Sequence, residues 1–167
     1  MREIIFRGKS SETREWIYGS LIKRTIGSFI VDENNKCSLQ CCGEFDFSFN
    51  SKLVKSESIG QYTGLTDKNG KRIFEGDIFK FNDEVWESYY TSCGTEYNSW
   101  EVENYGVVGF YEYSGRFDFI EYKFNENSVE ADLHENNAID FAEFVSELEV
   151  IGNIHDNPEF LKEGAEE

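Results

Sequence analysis

The stretch YTGLTDKNGKRIFEGDIFKF, Tyr62 to Phe81, sets a tight turn, an apolar–charged alternation and a second turn in immediate succession. Asp67-Lys68-Asn69-Gly70 carries a hairpin signature, because Asn and Gly accept the positive φ that such turns require. Ile73-Phe74 then precedes Glu75-Gly76-Asp77, a second turn, and Ile78-Phe79-Lys80-Phe81 continues as a strand. No nucleophile stands beside a base here. Asp67, Glu75 and Asp77 are accounted for as turn and cap residues, so the stretch reads as scaffold.

The segments around it have the same character. Ile4–Phe6, Glu15–Ile22 and Ser28–Val31 read as strands, with Gly19 as a bulge. Asp32–Lys36 is a turn cluster, Glu44–Phe49 alternates strictly, and Lys52–Gln61 is extended. Tyr105–Tyr113 and Arg116–Phe124 form a hairpin closed by Ser114-Gly115. Ala138–Leu148 has the apolar stripe of a helix, with Asn136 or Asn137 as its cap. Glu149–Ile154 is a last short strand, and Asn157-Pro158-Glu159 opens a short helix. His155-Asp156 beside it reads as a turn. The expected fold is mainly β (a β-rich α+β chain): a small barrel-like scaffold with one helix in its C-terminal half and a short terminal helix. Two lobes are expected, residues 1–61 and 62–167, or the two interleave into one domain. With 167 residues, 15 Phe and 9 Tyr, the chain has enough apolar mass for a real core.

Charge is distributed unevenly. Residues 1–81 carry net +2, residues 82–150 net −15 and residues 151–167 net −4, within a total of −17. Phosphates repel such a block, so direct binding of nucleic acid fits poorly, whereas a basic partner would be attracted. Simple solubility accounts for the same charge. Cys37, Cys41, Cys42 and Cys93 lack a zinc-site spacing and lie far from His134 and His155, so free thiols are expected and no metal or other cofactor. The opening MREIIFRGKSSE has only a short apolar run, and no segment approaches the roughly 20 apolar residues that span a bilayer. The expectation is a cytoplasmic protein away from membranes.

Two segments inside the acidic block stand apart. Residues 82–104, NDEVWESYYTSCGTEYNSWEVEN, have no clean period. One reading is a binding loop, in which rigid aromatics give contact area and small polar groups give adaptable hydrogen bonds. The other is an irregular loop whose Trp residues pack on the core. The candidate contact residues are Trp86, Glu87, Tyr89, Tyr90, Glu96, Trp100, Glu101 and Glu103. On the predicted helix, Asp140, Glu143 and Glu147 recur at helical spacing, which suits either a solvated face or a row of charge resembling a phosphate strand.

The pieces IIFRGK (Ile4–Lys9), EWIYGSL (Glu15–Leu21), IGQYTGLTDKNGKRIFEGDI (Ile59–Ile78) and EVIGNIHDNPEFL (Glu149–Leu161) resemble, in order, the YopX family of phage and prophage proteins. The resemblance implies a mostly β fold, a phage or prophage origin and self-association into a homo-oligomer. It implies no reaction and transfers no catalytic residue. Residues 82–104 and 125–148 depart from the family pattern as acidic insertions. The leading expectation is a non-catalytic binding protein that blocks a basic, nucleic-acid-handling host protein, such as a CRISPR effector or a restriction enzyme. The alternative is an oligomeric phage module for replication or assembly. An enzyme is not expected, because no motif orders the carboxylates.

Overall fold

Runs of β-branched and aromatic residues separated by Gly- and Asn-bearing turns give a mainly β chain. The computed structural model describes residues 3–32, 51–112, 115–123 and 141–161. The chain divides into two units: Met1–Leu65 with Arg72–Glu75, and Thr66–Lys71 with Gly76–Glu167.

The first unit is built on strands β1 (Phe6–Lys9), β2 (Trp16–Arg24), β3 (Gly27–Asp32), β4 (Ser51–Val54), β5 (Gly60–Thr66) and β6 (Arg72–Phe74), in the order β4-β3-β2-β1-β5-β6. A closed barrel is not what forms. Among the described residues the sheet is open, and its curl is fastened by a bridge from Ser10 to Val54, with Lys55 N donating to the Lys9 carbonyl at 2.9 Å. Ile17, Ile30 and Val54 fill the curl, and Ile5, Tyr62 and Phe74 form a second apolar group. The buried Arg7 guanidinium lies over the Trp16 and Phe74 rings, 4.8 and 5.1 Å from their centroids, and donates to the Glu75 carbonyl at 2.8 Å. Gly60 is required here, since a Cβ would lie 2.6 Å from that same carbonyl oxygen. Gly19 is no bulge: it pairs in register with both Phe6 and Asp32. A 3-10 turn, Ser56–Ser58, interrupts the extended segment expected over Lys52–Gln61. The strand expected over Glu44–Phe49 and the cysteines Cys37, Cys41 and Cys42 lie outside the described residues.

The second unit holds β7 (Asp77–Thr91), β8 (Gly94–Tyr111), β9 (Arg116–Lys123) and β10 (Val150–Asn153), in the order β10-β7-β8-β9, and the helix α1 (Phe141–Glu147). Ile78, Phe79, Phe81, Val107, Val108 and Phe119 are buried. Phe141 and Phe144 of α1 meet Phe119 edge-on, and Phe144 does the same to Phe81. Gly106 lets Phe119 approach, because a Cβ there would sit 2.8 Å from its ring. The β8–β9 connection spans residues 112–115, longer than Ser114-Gly115 alone, since Tyr111 pairs with Arg116.

Asp67 ties the quoted turn to the C-terminal strand. One carboxylate oxygen accepts from Asn69 N and Lys71 N, each at 2.9 Å, and the other accepts from Val150 N at 3.2 Å. Burial alone would push this carboxyl up, but the three N–H donors outweigh it and hold it below the usual range. Lys68 adds an ion pair to Glu149 at 3.0 Å. The turn is scaffold, as its sequence predicts, and His155-Asp156 is a turn ordered by Asn153, whose amide donates to Asp156 at 2.8 Å.

Candidate functional site

The segment 82–104 is not a loop. It is the outer part of the β7–β8 hairpin, paired without a break from Asn82↔Glu103 to Thr91↔Gly94. β10 meets β7 only at Asp77–Phe79, and β9 meets β8 only from Tyr105 onward. Beyond that point the two strands have only each other among the described residues. Ten residues of strand run roughly 33 Å. The tip is held by Thr91, whose hydroxyl donates to the Gly94 carbonyl at 2.9 Å and accepts from Cys93 N at 3.3 Å. Gly94 takes a φ of 138° that other residues rarely adopt. Cys93, the one described cysteine, is exposed at this tip.

Pairing decides which side chains share a face, because cross-strand partners point the same way and successive residues point oppositely. Glu84, Trp86, Ser88 and Tyr90 therefore lie on one face with Thr95, Tyr97, Ser99, Glu101 and Glu103. Glu87 and Tyr89 lie on the other with Glu96, Asn98 and Trp100. The eight contact candidates do not form one surface. Trp86, Tyr90, Glu101 and Glu103 are on the first face; Glu87, Tyr89, Glu96 and Trp100 are on the second.

The faces also differ in exposure. Trp86, Tyr97 and Tyr90 on the first face are 62%, 66% and 90% exposed, against 39% and 37% for Tyr89 and Trp100 on the second. The Trp residues are not packed into the core, which removes the reading of residues 82–104 as a loop anchored by buried indoles. Tyr97 and Glu84 were not singled out by the sequence; only the register places them beside Trp86.

Glu103 is engaged within its own chain. Lys80 forms an ion pair with it and the Tyr105 hydroxyl donates to it. Those two contacts, Lys80 first, hold the Glu103 carboxyl below its usual range. The bond to Glu103, aided by burial, pushes the Tyr105 hydroxyl up to about 12. Tyr105 also stacks on Phe160, 5.6 Å between centroids. At the inner end Asn104 is buried opposite Phe81, and its side-chain amide has no hydrogen-bond partner among the described residues.

On α1, Glu143 and Glu147 are exposed while Val145 is buried. Asp140 lies outside the described residues, so two of the three carboxylates of the expected row are placed. Among the described residues no cluster of three or more His, Cys, Asp or Glu is arranged to hold a metal ion, and no helix is long and apolar enough to cross a membrane.

A search among curated proteins finds no match. Among solved structures the chain is similar to one described as the crystal structure of protein EF1440 from Enterococcus faecalis, at 25% identity over 97% of this chain and 100% of that one, with a TM-score of 0.46. A superposition that loose supports no detail. The model of the YopX protein family matches residues 5–162, nearly the whole length, and takes in the turn held by Asp67 and the strand it binds. The chain belongs to the YopX family.

Proposed function

We propose that this is a non-catalytic, phage-encoded binding protein, a counter-defence inhibitor of the anti-CRISPR or anti-restriction type. It blocks a basic host protein that handles nucleic acid. The observation that carries this reading is the outer hairpin. Residues 82–104 hold six Asp/Glu, no Lys or Arg, and five Trp/Tyr, and the described aromatics stand out in solvent. Aromatics left exposed contribute little to the fold. Covered by a partner, Trp and Tyr are the residues whose truncation most often costs about 2 kcal/mol or more. The carboxylates steer a basic partner in and set specificity, and Glu143 and Glu147 add to the same negative field.

The test is capture from host lysate at low and at high salt, with mass spectrometry of the retained proteins. One basic nucleic-acid enzyme, held at low salt and released at high salt, supports the reading, since screening weakens exposed charge pairs. No specific partner at either salt, with the protein running as a defined oligomer, replaces it with the phage-module reading.

A further inference from the structure

The two faces of the outer hairpin are chemically unequal, and their inequality narrows the partner. From the inner end outward, the first face presents Glu103 with Asn82, Glu84 opposite Glu101, Trp86 opposite Ser99, Ser88 opposite Tyr97, and Tyr90 opposite Thr95. Side chains directly opposite sit about 4.5–5.5 Å apart at Cβ, and same-strand neighbours on one face about 6.6–6.8 Å. Trp86 is therefore bounded by the two exposed carboxylates, Glu84 along its strand and Glu101 diagonally across, with Tyr97 diagonally on its outer side. Like charges placed directly opposite destabilise a strand pair. Glu84 and Glu101 are placed opposite each other at the point where the most exposed aromatics begin.

An open aromatic ring edged by carboxylates is the arrangement that receives a guanidinium. The planar cation stacks on an indole or phenol while its N–H groups fork onto carboxylate oxygens. An ammonium satisfies the charge but not the stacking or the fork. We infer that the face bearing Trp86, Tyr90, Tyr97 and Glu101 docks an arginine-bearing segment of the partner protein, and that the face bearing Tyr89 and Trp100 does not. The inference rests on the proposed function and specifies which side of the hairpin carries it. Charge complementarity selects the occupant: the exposed Glu101 lies beside Trp86, and residues 82–104 carry six Asp/Glu and no Lys or Arg.

The probes are two peptides of equal length and charge, nona-arginine and nona-lysine, titrated calorimetrically into the full chain at physiological salt. The arginine peptide should bind more tightly by about fivefold or more, the stacking and fork being worth that margin. Trp86→Ala should weaken arginine binding about tenfold and remove most of the preference, and Glu101→Gln should weaken it about threefold. The matched change on the opposite face, Trp100→Ala, should move it less than about twofold. Equal affinity for the two peptides, or a larger loss in Trp100→Ala than in Trp86→Ala, overturns the inference. Lysate capture separates this from the broader reading. A host partner retained by Trp86→Ala but lost by Trp100→Ala overturns the face assignment alone. A partner retained by the double variant overturns the hairpin as the binding element. Both substitutions are at exposed positions, and an unchanged thermal midpoint confirms that the variants are folded.

Discussion

The same two strands behave as two different materials along their length. At the inner end, Asp77–Phe81 and Asn104–Tyr111 are flanked by β10 and β9 and roofed by α1, and Ile78, Phe79, Val107 and Val108 have essentially no solvent exposure. At the outer end the strands keep their register, yet the side chains described there are exposed or, at Thr91, half-buried. Backbone pairing is common to both parts; what changes is whether anything covers the faces. An apolar side chain contributes to folding by leaving water. Phe79 does so within the chain, whereas Trp86 stays 62% exposed there. The inner hairpin is covered and the outer hairpin is not, and under the proposed function the uncovered part is the one that makes contact.

The contrast breaks most sharply at the inner end. Phe79→Ala removes a fully buried ring that meets Phe119 edge-on at 5.8 Å. It should cost about 3–5 kcal/mol, read as a shift of the urea midpoint. A loss below about 1 kcal/mol would mean that the inner strands are no better supported than the outer ones.

Asp67→Ala should cost about 2 kcal/mol, since it strips a charged acceptor from three backbone N–H groups, one of them on β10. The pH dependence has a definite sign. The folded carboxyl is held below its ordinary value, so its contribution is complete above the unfolded pKa of about 4 and fades as the pH falls through the lower folded value. The stability gap between wild type and Asp67→Ala should therefore close on acidification. A gap that stays constant from neutral pH to about pH 2 would show that the charge is not what holds the turn.

The smallest effect belongs to the outer end. Replacing Trp86, Tyr90 and Tyr97 together by Ser, Thr and Thr should change stability by less than about 1.5 kcal/mol, because exposed substitutions away from caps and cores are individually within about 0.5 kcal/mol. Thermal unfolding checks it. A larger drop would mean that these rings support the fold.

The same contrast explains how much of the molecule the sequence discloses. Buried strands announce themselves by short apolar runs bounded by turn residues, as in Ile73-Phe74 and Ile78-Phe79, and the Asp-Lys-Asn-Gly turn states its own geometry. The outer hairpin is exposed on both faces, so no alternation is imposed on it, and residues 82–104 read as a loop. The signals present were weaker: Thr and aromatic enrichment, and Trp86 and Trp100 set nearly evenly about a turn that ends in Gly94. Face membership was beyond reach, because it depends on register. Trp86 pairs with Ser99 and not with Trp100, and a one-residue difference sends the two indoles to opposite sides. The mainly β character of the first sheet is legible, but that it curls without closing is not: among the described residues its curl is fastened at the bridge from Ser10 to Val54, which leaves no mark on the pattern of either segment.

The most direct measurement compares the wild-type chain with the Trp86→Ser, Tyr90→Thr, Tyr97→Thr chain, both folded, for retention of a host protein from lysate at low salt. Loss of a specific basic partner by the variant alone is the predicted result. Equal retention of the same partner by both chains would contradict the assignment of binding to the exposed aromatic face.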